Sequence, residues 1–220
     1  KNLKQLFKKT HFTFSIKTEA LTIQESIENG KNWLLTAQNS DGSWGDATRL
    51  LSSTFIDTSV VIDSLSYLNF KDVHYQNGNT WINSNLIEGT ELTALKLELL
   101  SREGIDISAL VNELLAKQNP DGSFGSESNY SENILDTIFA FKSLLSIGYG
   151  DGNFRDRIAR YIITNQNSDG GFGISGRLNI NAHEELKVSN IYVTSLVIST
   201  FKELNITGYE QQINNAISWL

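Results

Sequence analysis

The sequence predicts an all-α protein built from repeated helical hairpins, and three observations carry that prediction. A pattern of thirteen residues recurs three times without gaps. Each copy is followed by a second apolar segment with a Thr at a matched place. Alternating apolar and polar stretches of the kind that make half-buried strands are nearly absent.

The three copies span 33–45, 113–125 and 161–173. In each, a Gln is followed by Asn-x-Asp-Gly and then by an aromatic residue two places after that Gly. These pairs are Gln38 and Trp44, Gln118 and Phe124, and Gln166 and Phe172. A worn copy opens at Trp81 and a further one at Trp219. The anchors 33, 81, 113, 161 and 219 therefore stand 48, 32, 48 and 58 residues apart, one helical hairpin each.

Within a unit the first helix runs up to the Gln, with apolar positions such as Ile27, Trp33 and Leu34 at helical spacing. Asn-x-Asp-Gly ends it, because Asn and Asp fold back onto the backbone and Gly accepts positive φ. The aromatic should then plug its own hairpin, and the Gln side chain should bond loop amides. The second helices centre on Thr58, Thr93, Thr137 and Thr194. Val60, Val61, Ile62, Leu65 and Leu68 cover almost every side of one, and Ile138, Phe139, Phe141, Leu144 and Leu145 of another. Helices apolar all round belong inside a structure. Two layers are implied, with the Thr-bearing helices inner and their small residues allowing close approach. Residues 1–24 read as a basic leading segment and 25–220 as the repeat domain, with four complete hairpins and part of a fifth.

Composition narrows the function. The chain is 40% apolar and 20% charged, ordinary for a globular protein. Its net charge is −7, and the first ten residues hold four Lys and no acid, so the rest is more acidic still. Such a body repels phosphate backbones, which excludes a nucleic-acid partner. The basic start can touch an anionic membrane surface through Leu3, Leu6 and Phe7, although a solvated end is favoured. No apolar run reaches the roughly 18 residues of a spanning helix, and no secretory pattern opens the chain. Without Cys there are no disulfides, thiolate nucleophiles or Cys-ligated zinc. That absence fixes no compartment; a soluble, cytoplasmic chain is the favoured reading. With no Met, and a repeat under way at its last residue, the chain reads as a piece of something longer.

The stretch Gly30-Lys31-Asn32-Trp33-Leu34-Leu35-Thr36-Ala37-Gln38, continued by Gly42-Ser43-Trp44, resembles the QW motif of squalene and hopene cyclases. Protein prenyltransferase β subunits share the motif in looser form. The resemblance covers roughly 25–220. It implies an α/α toroid of about six hairpins, in which the motifs staple outer helices and inner helices ring an apolar cavity. By that measure the toroid here is incomplete.

The chemistry implied by the resemblance is mostly missing. Class II terpene cyclases protonate an alkene with the middle Asp of Asp-X-Asp-Asp at the head of an inner helix, a task that needs an unusually acidic carboxyl in an apolar pocket. In that register Asp57 and Asp136 keep only the last Asp, with Thr54 and Ile56, or Asn133 and Leu135, at the first and middle places. A structural role for Asp57 and Asp136 is favoured over catalysis, with Glu132 as a further unconventional acid. The prenyltransferase zinc site and complement-like thioester chemistry both need a Cys. His11 and His74 fall in linker or surface sequence. His183, Glu184 and Glu185 read as a solvated loop, and the Asn-x-Asp-Gly loops fail EF-hand spacing. Neither metal nor cofactor is expected.

Two functions stand. The favoured one is a toroid without the standard catalytic residues that holds a hydrophobic, isoprenoid-like ligand or a protein partner; toroids that bind cobalamin extend this to large non-isoprenoid guests. The alternative is a noncanonical class II terpene cyclase (isomerase or lyase) acting on prenyl substrates. In either case Phe55, Asp57, Asn133, Asp136, Asn190 and Tyr192, each within three residues before a repeated Thr or close to it, should form one rim, with Phe55, Asn133, Asn190 and Tyr192 touching the ligand.

Overall fold

The computed structural model describes residues 22–45, 51–126 and 132–220. The basic start, with Leu3, Leu6, Phe7 and His11, lies outside the described residues. The chain divides into two compact units, Lys1–Thr36 and Ala37–Leu220; the boundary expected from sequence stands at 24/25.

In the first unit, α1 (Ile23–Thr36) opens on a reciprocal cap. The Glu25 carboxylate accepts from Thr22 N and Oγ1, both at 2.8 Å, and Glu25 N donates to Thr22 Oγ1 at 3.1 Å. This Thr-x-x-Glu box satisfies two helix-end donors and holds the Glu25 carboxyl below its ordinary range. None of the helix's residues is buried.

Among its described residues, the regular structure of the second unit is helical apart from one short antiparallel pair. Its elements are α2 (Leu51–Tyr67), α3 (Val73–Ser84), α4 (Thr90–Arg102), α5 (Ser108–Leu115), β1 (Phe124–Gly125), β2 (Glu132–Asn133), α6 (Ile134–Ser146), α7 (Gly152–Thr164), α8 (Glu184–Lys187), α9 (Ile191–Glu203) and α10 (Glu210–Trp219). In the pair, Phe124 faces Asn133 and Gly125 faces Glu132. Helices α2, α4, α6 and α9 pack side by side in chain order; α3, α5, α7 and α10 lie against them as an outer row. The core between the rows includes Leu97, Leu114, Ile138, Phe141, Ile162 and Val197, all fully buried.

Every inner helix ends in the same way. Eleven residues after its Thr the chain enters the left-handed region, at Asn69, Gly104, Gly148 and Asn205. The next residue's N–H reaches back to a buried carbonyl: Phe70 to Leu65, Ile105 to Leu100, Tyr149 to Leu144, Ile206 to Phe201. These are Schellman caps, in which Gly or Asn takes positive φ at the lowest cost and an apolar residue follows it. The four caps mark the inner helices as equivalent.

The repeated loop does more than end a helix. Asn39 N donates to Ser43 O and Gly42 N to Asn39 O; Asn119 and Asn167 begin the same turns. The aromatic is deeply buried in all three copies, and its amide donates 2.9 Å to the repeated Thr: Trp44 to Thr58, Phe124 to Thr137, Phe172 to Thr194. Those Thr side chains are fully buried. Their matched placement therefore reflects a hydrogen bond to the plug as well as close helix approach. In the worn copy Thr93 has no plug and bonds Gly89 O and the Glu113 carboxylate instead.

The loops also reach forward to the next outer helix, where a plug within the hairpin itself was expected. Gln38 Nε2 bonds Gly42 O at 2.9 Å and His74 O of α3 at 2.8 Å. The Trp81 indole donates to Asp41 Oδ2 at 3.1 Å, and Trp44 lies so close to Gly78 that a Cβ there would sit 2.6 Å from the ring. The third loop repeats this on α10: Gln166 bonds Gly170 O and Gln212 O, and Trp219 donates to Asp169 at 3.1 Å. The second loop meets α7 more loosely. Gln118 keeps one bond, 3.3 Å to Gly122 O, and the residue in the Trp place is Tyr161.

Candidate functional site

The heads of the inner helices carry the residues expected at a rim, but in different roles. Phe55 is fully buried against Trp81, with ring centroids 6.2 Å apart, so it belongs to the core and not to a mouth. Asn133 and Asn190 are N-caps. Asn133 Oδ1 accepts from Asp136 N at 2.6 Å, and Asn190 Oδ1 from Val193 N at 3.2 Å. Those oxygens satisfy orphan helix donors, which removes them as free ligand groups. Asn133 also donates through Nδ2 to the buried Asp136 carboxylate.

Asp57 is half-buried beside the first loop's last glycine. A Cβ on Gly45, whose φ is +119°, would come within 2.7 Å of Asp57 Oδ2. Its place thus accounts for that glycine. Glu132, on β2 just before the N-cap of α6, lines a cavity beside α7. Tyr192 is exposed at the head of α9.

Glu91 is the residue that sequence reading missed. It stands two places before Thr93, as Ile56, Leu135 and Tyr192 stand before their Thr, so the register was legible. In this copy Leu92 stands where Asp57 and Asp136 precede their Thr, so no Asp marks the place. Glu91 sits in the first turn of α4, and burial followed by the charge of Asp136 pushes its carboxyl above the ordinary range. Burial likewise raises the Tyr192 hydroxyl, with the charge of Glu91 adding to it and Lys142 opposing. Glu91, Asp136 and Tyr192 thus form one electrostatic cluster across α4, α6 and α9.

Beyond the heads, a cavity of about 170 Å³ crosses three neighbouring inner helices. Ile56 and Val60 of α2 and Leu95 and Leu99 of α4 make its apolar wall, with Lys142 of α6 at its side. Val60 is 60% exposed, although the opposite side of its helix, with Phe55, Ile62 and Leu65, is buried. Arg102 closes one end, paired with Asp63 and, at 2.6 Å, with Glu98. An apolar wall with few oriented polar groups is the usual make-up of a small-molecule site.

The remaining titratable candidates stay apart. His74 Nδ1 pairs with Asp72 Oδ2 at 2.8 Å at the start of α3, and His183, Glu184 and Glu185 are exposed at α8. Among the described residues no three His, Cys, Asp or Glu side chains gather to hold a metal ion. Among the same residues, no helix is long and apolar enough to cross a membrane.

No protein-family model and no curated protein matches this chain. A crystal structure of a protein from Actinoplanes is similar, with a TM-score of 0.62 and 16% identity over 88% of this chain. The match spans 63% of that protein's length. At that identity the likeness concerns the fold, which is all-helical.

Proposed function

We propose that this chain belongs to a ring of helical hairpins of the terpenoid cyclase and prenyltransferase kind, and that its inner row holds an apolar, isoprenoid-like ligand. The alternation of inner and outer helices, the forward-reaching loops and the QW-like pattern support the ring. The apolar wall of exposed Ile56 and Val60 and half-buried Leu95 carries the ligand reading, because exposing such groups on an inner helix forfeits burial unless something covers them. Glu91, Asp136 and Tyr192 would orient the polar end of the guest.

Glu91 favours a second reading, an enzyme with an unconventional acid. It occupies the register of the middle Asp of Asp-X-Asp-Asp in the one copy where that place is acidic. Burial also keeps its proton bound to higher pH.

Incubation with linear prenyl diphosphates and with squalene, followed by product analysis and equilibrium binding, separates the two. Saturable binding without turnover, weakened by Val60→Asp, is the expected result. Cyclised product that disappears in Glu91→Gln would replace the binding reading with the enzymatic one. Absence of both binding and turnover would defeat both.

A further inference from the structure

The junction between the second loop and α7 is where the repeat departs from its own pattern. At the first and third junctions the loop aspartate accepts a tryptophan indole N–H. At the second, the equivalent pair is Asp121 and Tyr161. Asp121 Oδ1 accepts from Ser123 N and Oγ, as Asp41 does from Ser43, but no tryptophan reaches its second oxygen. The Tyr161 hydroxyl, on a residue only 8% exposed, is buried without any hydrogen-bond partner. A cavity of about 470 Å³ opens between them.

Its walls carry charge of both signs. Arg157 and Arg160, with Tyr161, follow one face of α7 at helical spacing; Asp121 stands on the loop, Glu132 on β2, and Asp156 on α7 beside Arg157. Among the described residues neither guanidinium is within ion-pair distance of a carboxylate, although all five groups line the same space. Apolar lining is slight, chiefly Leu178. A purely anionic guest would meet Asp121, Glu132 and Asp156, and a purely cationic one would meet both arginines.

We infer that this cavity binds a small zwitterion of amino-acid or dipeptide size. Its ammonium sits between Asp121, Glu132 and the Tyr161 oxygen, and its carboxylate lies on Arg157 and Arg160. Such a guest supplies the hydrogen bond that a tryptophan supplies at the other junctions, and it sets a positive charge against the carboxylates and a negative one against the guanidiniums. The site is separate from the inner-row cavity, so the two proposals stand or fall independently.

Titration calorimetry with L-alanyl-L-alanine tests it, alongside the N-acetylated dipeptide, its C-terminal amide, and glucose. The free dipeptide should bind saturably, and blocking either end should weaken binding by about tenfold or more, the loss of a charge-assisted contact. Glu132→Gln and Arg160→Gln should each weaken it comparably. Tyr161→Phe should weaken it about threefold, one neutral hydrogen bond, with the melting temperature kept. No saturable heat, equal binding of blocked forms, preference for glucose, or wild-type affinity in Glu132→Gln and Arg160→Gln would each overturn the assignment.

Discussion

The indole N–H of Trp219 lies 3.1 Å from Asp169 Oδ2, joining a loop to a helix fifty residues further along the chain. Trp81 and Asp41 repeat the contact at the same distance. The loop Gly packs beside each pair: a Cβ on Gly42 or Gly170 would come within 2.8 Å of the Asn77 or Asn215 carbonyl. Each of these two loops therefore ties its own inner helix to the outer helix that follows. That explains why the loop is better preserved along the chain than the helices around it.

The first prediction tests that joint. Trp81→Phe keeps most of the buried ring and removes the donor, which should cost about 1 kcal/mol. In a unit of this size that is a melting-temperature fall of roughly 2–4 °C. A double-mutant cycle with Asp41→Asn should show positive coupling. Tyr161→Phe is the contrast: its hydroxyl is already unpartnered, so stability should hold or rise slightly. An equal loss in both variants would contradict the picture.

Plug burial supplies the second. Trp44→Ala should cost about 3–5 kcal/mol, as other buried aromatics do on truncation. Gly78→Ala should also destabilise, by about 1–3 kcal/mol, because its methyl would enter the Trp44 ring. Chemical denaturation measures both. In Trp44→Ala the cost of Gly78→Ala should largely vanish, since the ring it strikes is gone.

A third prediction concerns the buried threonines. Thr137→Val preserves shape but strands the buried Phe124 amide, whose hydrogen bond the Thr137 hydroxyl now accepts. Leaving buried backbone groups unpaired costs about 1–3 kcal/mol. Thr194→Val should behave alike at Phe172. Thr93→Val, which strands no plug amide, should cost less.

The fourth is a pH dependence centred on Glu91. Its carboxyl is raised above the ordinary 4.5 by burial and then by Asp136, so the folded state holds this proton more tightly than the unfolded chain. Between 4.5 and the raised value the folded state binds more protons, and Glu91's contribution to stability falls as pH rises. Glu91→Gln should therefore gain relative to wild type on going from pH 4 to pH 7, read from melting temperatures. Asp136→Asn should reduce the difference. A gap that is constant with pH would show Glu91 to be unperturbed.

The loop repeat, its Gln and aromatic, the left-handed positions and the helical period are all local. Each follows from turn chemistry or from residues three and four apart, so the sequence determined the all-helical fold and the inner row of Thr-bearing helices. The Schellman caps were equally legible in Asn69-Phe70, Gly104-Ile105, Gly148-Tyr149 and Asn205-Ile206, as was the register of Glu91. Only the tertiary structure decided where the loops bond. Partners forty or fifty residues distant leave no local trace, and a plug that serves the next hairpin reads in sequence like one that serves its own. Packing also decided that Phe55 is core, that Asn133 and Asn190 are caps, and that Tyr161 is left beside Asp121 without a partner. Burial and hydrogen-bond satisfaction are properties of the neighbours a side chain acquires, and those neighbours come from other helices.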